Sequence, residues 1–274
     1  LIVWELNELF LALIKPKFFA LKIVLVLLLI FHSGELQATQ SSPTLFDKAL
    51  IASKDGEFVK ALEDWNQFLV DSPEDSLALS NRGNVKFALG DFEGAITDYS
   101  KSIEISPFAI DPHLNRGISE VALQLWDQAE KDYNWILERD PDNSQARYSL
   151  GNVMVSQGNW RQAKDCFFQA SLAQPEFPIA RSSKALMDFQ LGELEIAEKE
   201  LRSIIRRYPM LADARAALTA LLWQKGFFGE AESHWAAIAG LDSRYESEDW
   251  LVNVRRWPPE PIHDLLAFLA LEHS

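Results

Sequence analysis

The chain has 274 residues, 48% of them hydrophobic and 24% charged, a composition that excludes wholesale disorder. Twenty-six Lys and Arg stand against 40 Asp and Glu; the formal charge of −14 argues against a sequence-independent nucleic-acid binder, because the phosphate backbone repels an acidic protein. One cysteine, Cys166, excludes an intramolecular disulfide framework and any Cys-rich zinc module.

The first segment, residues 1–38, reads as targeting or anchoring rather than fold. Lys15, Lys17 and Lys22 precede an apolar run from Ile23 to Phe31, which passes through His32-Ser33-Gly34 to Ala38 and a polar Thr39-Gln40-Ser41-Ser42. A basic stretch, a short apolar core and a small residue at the exit form a secretory-signal pattern. Leu9 to Ile14 is apolar too, so residues 9–31 also read as an uncleaved anchor in contact with a membrane. The chain opens on Leu1 and its first methionine is Met154, which leaves translation of an upstream region as a third reading.

Beyond residue 41 the sequence is periodic. Pro73, Pro107, Pro141, Pro175 and Pro209 lie 34 residues apart. With proline as position 32, position 20 is always alanine (Ala61, Ala95, Ala129, Ala163, Ala197, Ala231). Position 15 is Gly56, Gly90, Gly158, Gly192 and Gly226, with Gln124 the exception. Position 24 is a ring or leucine, namely Trp65, Tyr99, Tyr133, Phe167, Leu201 and Trp235, and position 8 is small throughout. Apolar residues recur at helical spacing within 77–89 and 92–105, so each unit predicts two antiparallel helices. Gly90-Asp91 and Gly158-Asn159 supply turns and N-caps, and Asp140-Pro141-Asp142-Asn143-Ser144 stops one helix and caps the next. Small residues at positions 8 and 20 permit close helix approach, and the residue at position 24 fills the space between. A single hairpin leaves an apolar face open, so neighbours stack into a curved solenoid.

The runs NRGNVKFALGDFEGAITDYSKSIEISP (81–107) and SLGNVMVSQGNWRQAKDCFFQASLAQP (149–175) resemble tetratricopeptide (TPR) repeats. Six such units are assigned, 42–75, 76–109, 110–143, 144–177, 178–211 and 212–245. The resemblance implies an all-α, right-handed TPR solenoid, with a cap at 246–274. In that tail, Trp250 to Arg256 predicts a short helix, and Ile262, Leu265, Leu266 and Leu269 fall at helical spacing on a last one. The tail has two readings. It covers the open apolar face of the sixth unit, or it presents a docking motif centred on Arg255, Arg256 and Trp257, with an exposed Trp as hot spot. An export-type leader, six TPR units and this tail are together similar to TPR proteins of the cyanobacterial and chloroplast thylakoid lumen. That likeness implies a thylakoid-lumen or periplasmic location.

Six units leave no room for a second domain that would hold an active site. No His-Glu-x-x-His pair, Walker glycine loop, nucleophile elbow or dinucleotide fingerprint occurs, so no catalytic residue, metal site or cofactor is assigned. Cys166 reads as a partly buried small apolar residue. The TPR resemblance implies that a peptide or protein binds in the concave groove lined by the first helices. The matching positions include Asn81, Asn84, Phe87, Asn115, Tyr148, Asn152, Val155, Phe189 and Trp223. The amides suit an extended chain, since each both donates to and accepts from a backbone, and the rings supply apolar pockets. Positions 5 and 9 hold no Lys or Arg, so the clamp that TPR co-chaperones use on acidic C-termini is absent. Arg147, Arg181 and Arg215, all at position 4, predict a ladder that either binds an anion or packs neighbouring units together, and Arg82 and Arg116 invite the same two readings.

Charge is uneven: the first and third units carry −5 each and the tail −4. That acidity serves solubility or steers a basic partner. The sequence therefore predicts a non-enzymatic protein-interaction scaffold with an unidentified protein or peptide partner and no nucleic acid. By the lumenal likeness it is an assembly or stability factor for a photosynthetic membrane complex. The alternatives are a periplasmic or envelope adaptor and the partner-binding subunit of an enzyme complex.

Overall fold

The computed structural model describes residues 44–238, 240 and 242–272. Residues 1–38, the segment expected to target or anchor the chain, lie outside them. The chain divides into two compact units, Leu1–Asp47 and Lys48–Ser274. In the first, the described residues begin a helix: the Thr44 hydroxyl donates to Asp47 Oδ2 at 2.7 Å, and the Asp47 amide donates back to Thr44 Oγ1. That reciprocal pair satisfies donors that a helix start otherwise leaves to water.

Helices follow one another in pairs: α1 (Leu45–Lys54) and α2 (Phe58–Asp71), α3 (Ser76–Ala88) and α4 (Phe92–Ile105), α5 (Ile110–Ala122) and α6 (Trp126–Arg139). They continue as α7 (Ser144–Ser156) and α8 (Trp160–Ala173), α9 (Pro178–Gln190) and α10 (Leu194–Arg207), α11 (Ala212–Gln224) and α12 (Phe228–Ala236). A 3-10 turn (Ser243–Glu246), α13 (Glu248–Asn253) and α14 (Pro259–Glu272) complete the described chain. From α2 to α12 each helix packs on the next, and α3 also touches α5, α5 touches α7, and α9 touches α11. The first helices of successive pairs therefore line one side. The fold is an all-α solenoid of the TPR type, without strands among the described residues.

The repeat positions explain the geometry. A β-carbon added at Gly83, Gly117 or Gly151 would sit 2.6–2.7 Å from the ring of Tyr99, Tyr133 or Phe167. The ring of the second helix thus lies directly on the backbone of the first, and only glycine permits it. Each pair turns through a residue of positive φ, between +75° and +83° at the five glycines. Gln124 adopts the same left-handed conformation at +61° without glycine's freedom. Within the repeats, side-chain caps form at Asp75, Asp91 and Asn143. Asn159 is not a side-chain cap; its amide turns instead toward Met154 and Gln157.

Charged side chains bolt neighbouring pairs together. Arg82 forks onto Asp98 at 2.6 and 2.7 Å and reaches Asn66 of the preceding pair at 3.0 Å. Arg116 repeats the arrangement with Asp132 at 2.7 Å and with Ser100. Of the two readings of Arg147, Arg181 and Arg215, anion binding or packing, their partners fit packing. Arg147 and Arg215 donate to the carbonyls of Pro141 and Pro209, and Arg181 pairs with Glu200. In all five cases the guanidinium has a structural partner.

Gln124→Gly removes the strain of a left-handed non-glycine residue, about 1 kcal/mol. It is expected to raise the melting temperature by a few degrees, which thermal denaturation by circular dichroism checks; an unchanged or lower value contradicts this account of the turn.

Candidate functional site

The candidate site is the side of the solenoid lined by α3, α5, α7, α9 and α11, and its two halves differ. In the first half, Asn81, Phe87 and Asn115 are half-buried and Asn84 is exposed. The Asn84 side-chain carbonyl accepts from Tyr99 Oη at 2.8 Å and from Asn115 Nδ2 at 2.9 Å, tying α3 to α5. Phe87 leans on Phe92 of its own turn, ring centroids 5.3 Å apart.

In the second half the chain's own tail lies on the first helices. Arg255 reaches Asp213 of α11 with two bonds of 2.6 and 2.7 Å, Ser183 of α9 at 3.1 Å and Tyr148 of α7 at 3.3 Å. Asp213 is 1% exposed and accepts further bonds from Trp257 Nε1, Tyr245 Oη and Ser182 Oγ. Burial works against the charge on Arg255, but the Asp213 carboxylate outweighs it and holds the guanidinium well above its ordinary value. Arg256 donates to Ser156 at the end of α7 and lies 5.1 Å over the Trp126 ring. The Glu260 amide donates to Gln190 of α9, and Phe268 of α14 meets Trp223 and Trp235 edge-on at 5.8 and 6.0 Å.

Several groove assignments change as a result. Phe189 (2% exposed) and Val155 (5%) are interior residues. Tyr148 packs between Phe167 and Phe177 and bonds the tail, and Trp223 lies tilted against Phe228 and edge-on to Phe268. Asn152 stands where Asn84 stands two pairs earlier, but Phe167 replaces the tyrosine hydroxyl, and Asn152 Oδ1 is buried without a hydrogen-bond partner among the described residues. The tail residues are corrected likewise. Trp257 is 3% exposed and Arg255 is enclosed, so neither is an exposed docking hot spot; satisfying a buried carboxylate draws both inward. Arg256 alone of the three keeps its guanidinium toward a cavity without an acid beside it.

That cavity, about 740 Å³, lies between the α5–α6 turn, the end of α7, the start of α8 and the tail. Trp126, Val155, Trp160 and Ile262 form apolar walls, and Glu248 and His263 stand on the tail side. Burial pulls the Arg256 guanidinium below its ordinary value.

Residues 83–120 match a family described as TPR repeat and residues 120–187 one described as tetratricopeptide repeat. Residues 83–187 thus carry TPR repeats. The chain is similar to a tetratricopeptide repeat protein from Parabacteroides merdae, with TM-score 0.64 at 18% identity, covering 82% of this chain and 97% of that one. MamA from Desulfovibrio magneticus RS-1 is similar over 59% of this chain and 92% of its own (TM-score 0.56, 15% identity). YrrB, described as a TPR protein with an unusual peptide-binding site, is similar over 64% and 91% (TM-score 0.51, 20% identity). These likenesses concern the fold. Among curated proteins, a TPR repeat-containing thioredoxin of Arabidopsis thaliana, TTL4, is 33% identical over 92 residues, 34% of this chain and 14% of that protein. The chain thus matches about a seventh of that relative's length.

Outside the groove, a buried polar cluster joins α5 and α6. His113 Nδ1 and Asp132 Oδ1 are 2.8 Å apart, the His113 ring stacks on Trp135 at 3.7 Å, and Glu120 Oε2 is buried without a hydrogen-bond partner among the described residues. Burial, then the Asp132 charge, pushes Glu120 up to about 7, and Arg116 only partly offsets them. Burial likewise pushes the Cys166 thiol up to about 11 and keeps it protonated at neutral pH. No cluster of three or more His, Cys, Asp or Glu with metal-holding geometry occurs among the described residues.

Two expectations follow. Asp213→Ala leaves Arg255 enclosed without its anion and is expected to cost about 3–5 kcal/mol. Limited trypsin digestion then nicks the chain at Arg255 or Arg256 well before the parent is cut there; equal resistance contradicts the tether. Glu120 has a folded-state pKa above its unfolded one, so its contribution to stability falls as pH rises from about 4.5 through about 7. Glu120→Gln should therefore raise the melting temperature at pH 8 and progressively less toward pH 5, and a gain independent of pH counts against ionisation as the cause.

Proposed function

We propose that the protein is a non-catalytic interaction scaffold that holds an extended segment of a partner protein on the open half of its concave side, along α3 and α5. One observation carries this reading. The tail lies on α7, α9 and α11, whereas Asn84 is exposed and Asn81 and Asn115 are half-buried beside it, with amide groups of a kind that pairs with a main chain in either direction. The Asn84–Asn115 bond pre-orders the two amides, so a bound strand loses less entropy in fixing them.

Place and process rest on sequence features. The lysines before Ile23–Phe31 and the likeness to lumenal TPR proteins support action at, or across, a membrane, as an assembly or stability factor for a membrane complex. Among the described residues no helix is long and apolar enough to cross a membrane. The first three units and the tail hold most of the acidic excess, which favours a basic partner and an association that weakens with salt.

The test is capture from detergent-solubilised membranes on the immobilised full-length chain, with partners read by mass spectrometry. The double variant Asn84→Ala/Asn115→Ala should lose specific partners about tenfold or more, the loss expected when two hydrogen bonds to a bound strand are removed. Lys101→Ala, an exposed position on α4 away from the first helices, serves as the reference and should retain them. Capture unchanged in the double variant contradicts the groove reading.

A further inference from the structure

The tail does more than close the second half of the groove, because it brings a cation into an apolar cavity. Arg256 is half-buried, and the only hydrogen bond its guanidinium makes among the described residues goes to the neutral Ser156 hydroxyl at 3.1 Å. Its other close neighbour is the face of Trp126. No carboxylate of the described residues pairs with it within 4.0 Å, although Glu248 stands on the same cavity wall. A guanidinium has five N–H donors in a planar fork that suits a carboxylate in two-point contact. Here most of that fork is uncommitted, in a place where the removal of water makes an added anion more favourable than at an open surface.

The walls define what such an anion is attached to. Trp126 and Trp160 stand at corresponding positions of two successive pairs, and together with Val155 and Ile262 they offer broad apolar surface. The volume, about 740 Å³, lies within the range of small-ligand sites, about 300–1,000 Å³. Backbone conformation points to the same place. Among the described residues only Gln124 and Arg256 are non-glycine residues with positive φ, at +61° and +58°, and both line this cavity. Glycine suits those two turns better, so the side chains are kept at an energetic cost.

We propose that this cavity receives the C-terminal end of a partner polypeptide, its free α-carboxylate on Arg256 and a large apolar last side chain between Trp126 and Trp160. The occupant is a chain end rather than an internal acid because of where the tail crosses. The tail crosses α7 at Tyr148, through Arg255, and at Ser156, through Arg256, so a strand lying on α3 and α5 and running toward α7 would end against it. This deepens the scaffold reading and rests on it, by naming the partner's chemistry at one end of the groove.

The probes are two pools of hexapeptides ending in Phe, Trp or Leu, randomised elsewhere, one with free C-terminal acids and one with C-terminal amides. Both are passed over the immobilised full-length chain and the retained peptides quantified by mass spectrometry. The acid pool should be retained about tenfold more than the amide pool. Arg256→Gln should bring the acids down to the level of the amides, and Arg256→Lys should keep part of the preference. The acid-to-amide comparison on the unmodified chain needs no variant, so a folding defect in either variant leaves the proposal falsifiable. Equal retention of the two pools overturns it, as does a preference that survives Arg256→Gln. If equal retention disappears in Asn84→Ala/Asn115→Ala, the terminal-carboxylate assignment falls and the groove reading stands. Retention of neither pool counts against both. A simple acid such as 3-phenylpropionate competing as well as the peptide acids would reassign the cavity to a small apolar carboxylate and overturn the chain-end occupant.

Discussion

Moving a carboxylate out of water costs several kcal/mol unless donors replace the solvent, and Asp213 is such a carboxylate. Its donors come from three places: Ser182 on α9, Tyr245 in the turn after α12, and Arg255 with Trp257 from the tail beyond α13. Each leaves part of the charge unsatisfied without the rest. The last helix pair, the tail and α9 are therefore expected to form and open together. A repeat array without such a tie is stabilised chiefly by contacts between neighbours. Here the bonds from Arg255 and Arg256 to Tyr148 and Ser156 reach back across the fifth and sixth units to the fourth, and they make the C-terminal half a closed unit.

That closure divides the concave side by function. Rings that would serve as ligand pockets on an open solenoid, Tyr148, Phe189 and Trp223, serve here as packing for Arg255, α14 and their own turns. The uncovered helices α3 and α5 keep polar amides at the surface, held in register by the Asn84–Asn115 bond. The Arg82–Asp98 and Arg116–Asp132 forks stiffen this open half from behind without using the amides. Rigidity in that half and closure in the other meet at the cavity around Arg256, where the two parts of the surface join.

Much of the fold is legible in the sequence because its causes recur every 34 residues. The small residue at position 8 and the ring at position 24 are visible as a pattern since they touch within one pair, and the turn glycines are visible since their position requires positive φ in each unit. The path of the tail has no such period. Asp213 looks like an ordinary acid in the first turn of a helix, as Asp111 does at the same position three units earlier, yet Asp111 is exposed and Asp213 is enclosed. Arg255-Arg256-Trp257 reads as a surface motif for the same reason: a basic-aromatic run shows its chemistry, and its burial depends on a carboxylate more than forty residues away. One cue is present. Two arginines beside a tryptophan in a segment otherwise acidic call for an anion, and a lone first-turn Asp in an alanine- and leucine-rich helix is a candidate.

The central claim is that the tail is an integral part of the array's C-terminal half, held by Asp213. Hydrogen–deuterium exchange of the full-length chain, followed by mass spectrometry, tests it most directly. The account predicts that the amides of Trp257 and of α14 exchange as slowly as those of α11, and that Asp213→Asn speeds exchange in the tail and in α11 together. Tail amides that exchange within seconds while α11 remains protected would contradict it.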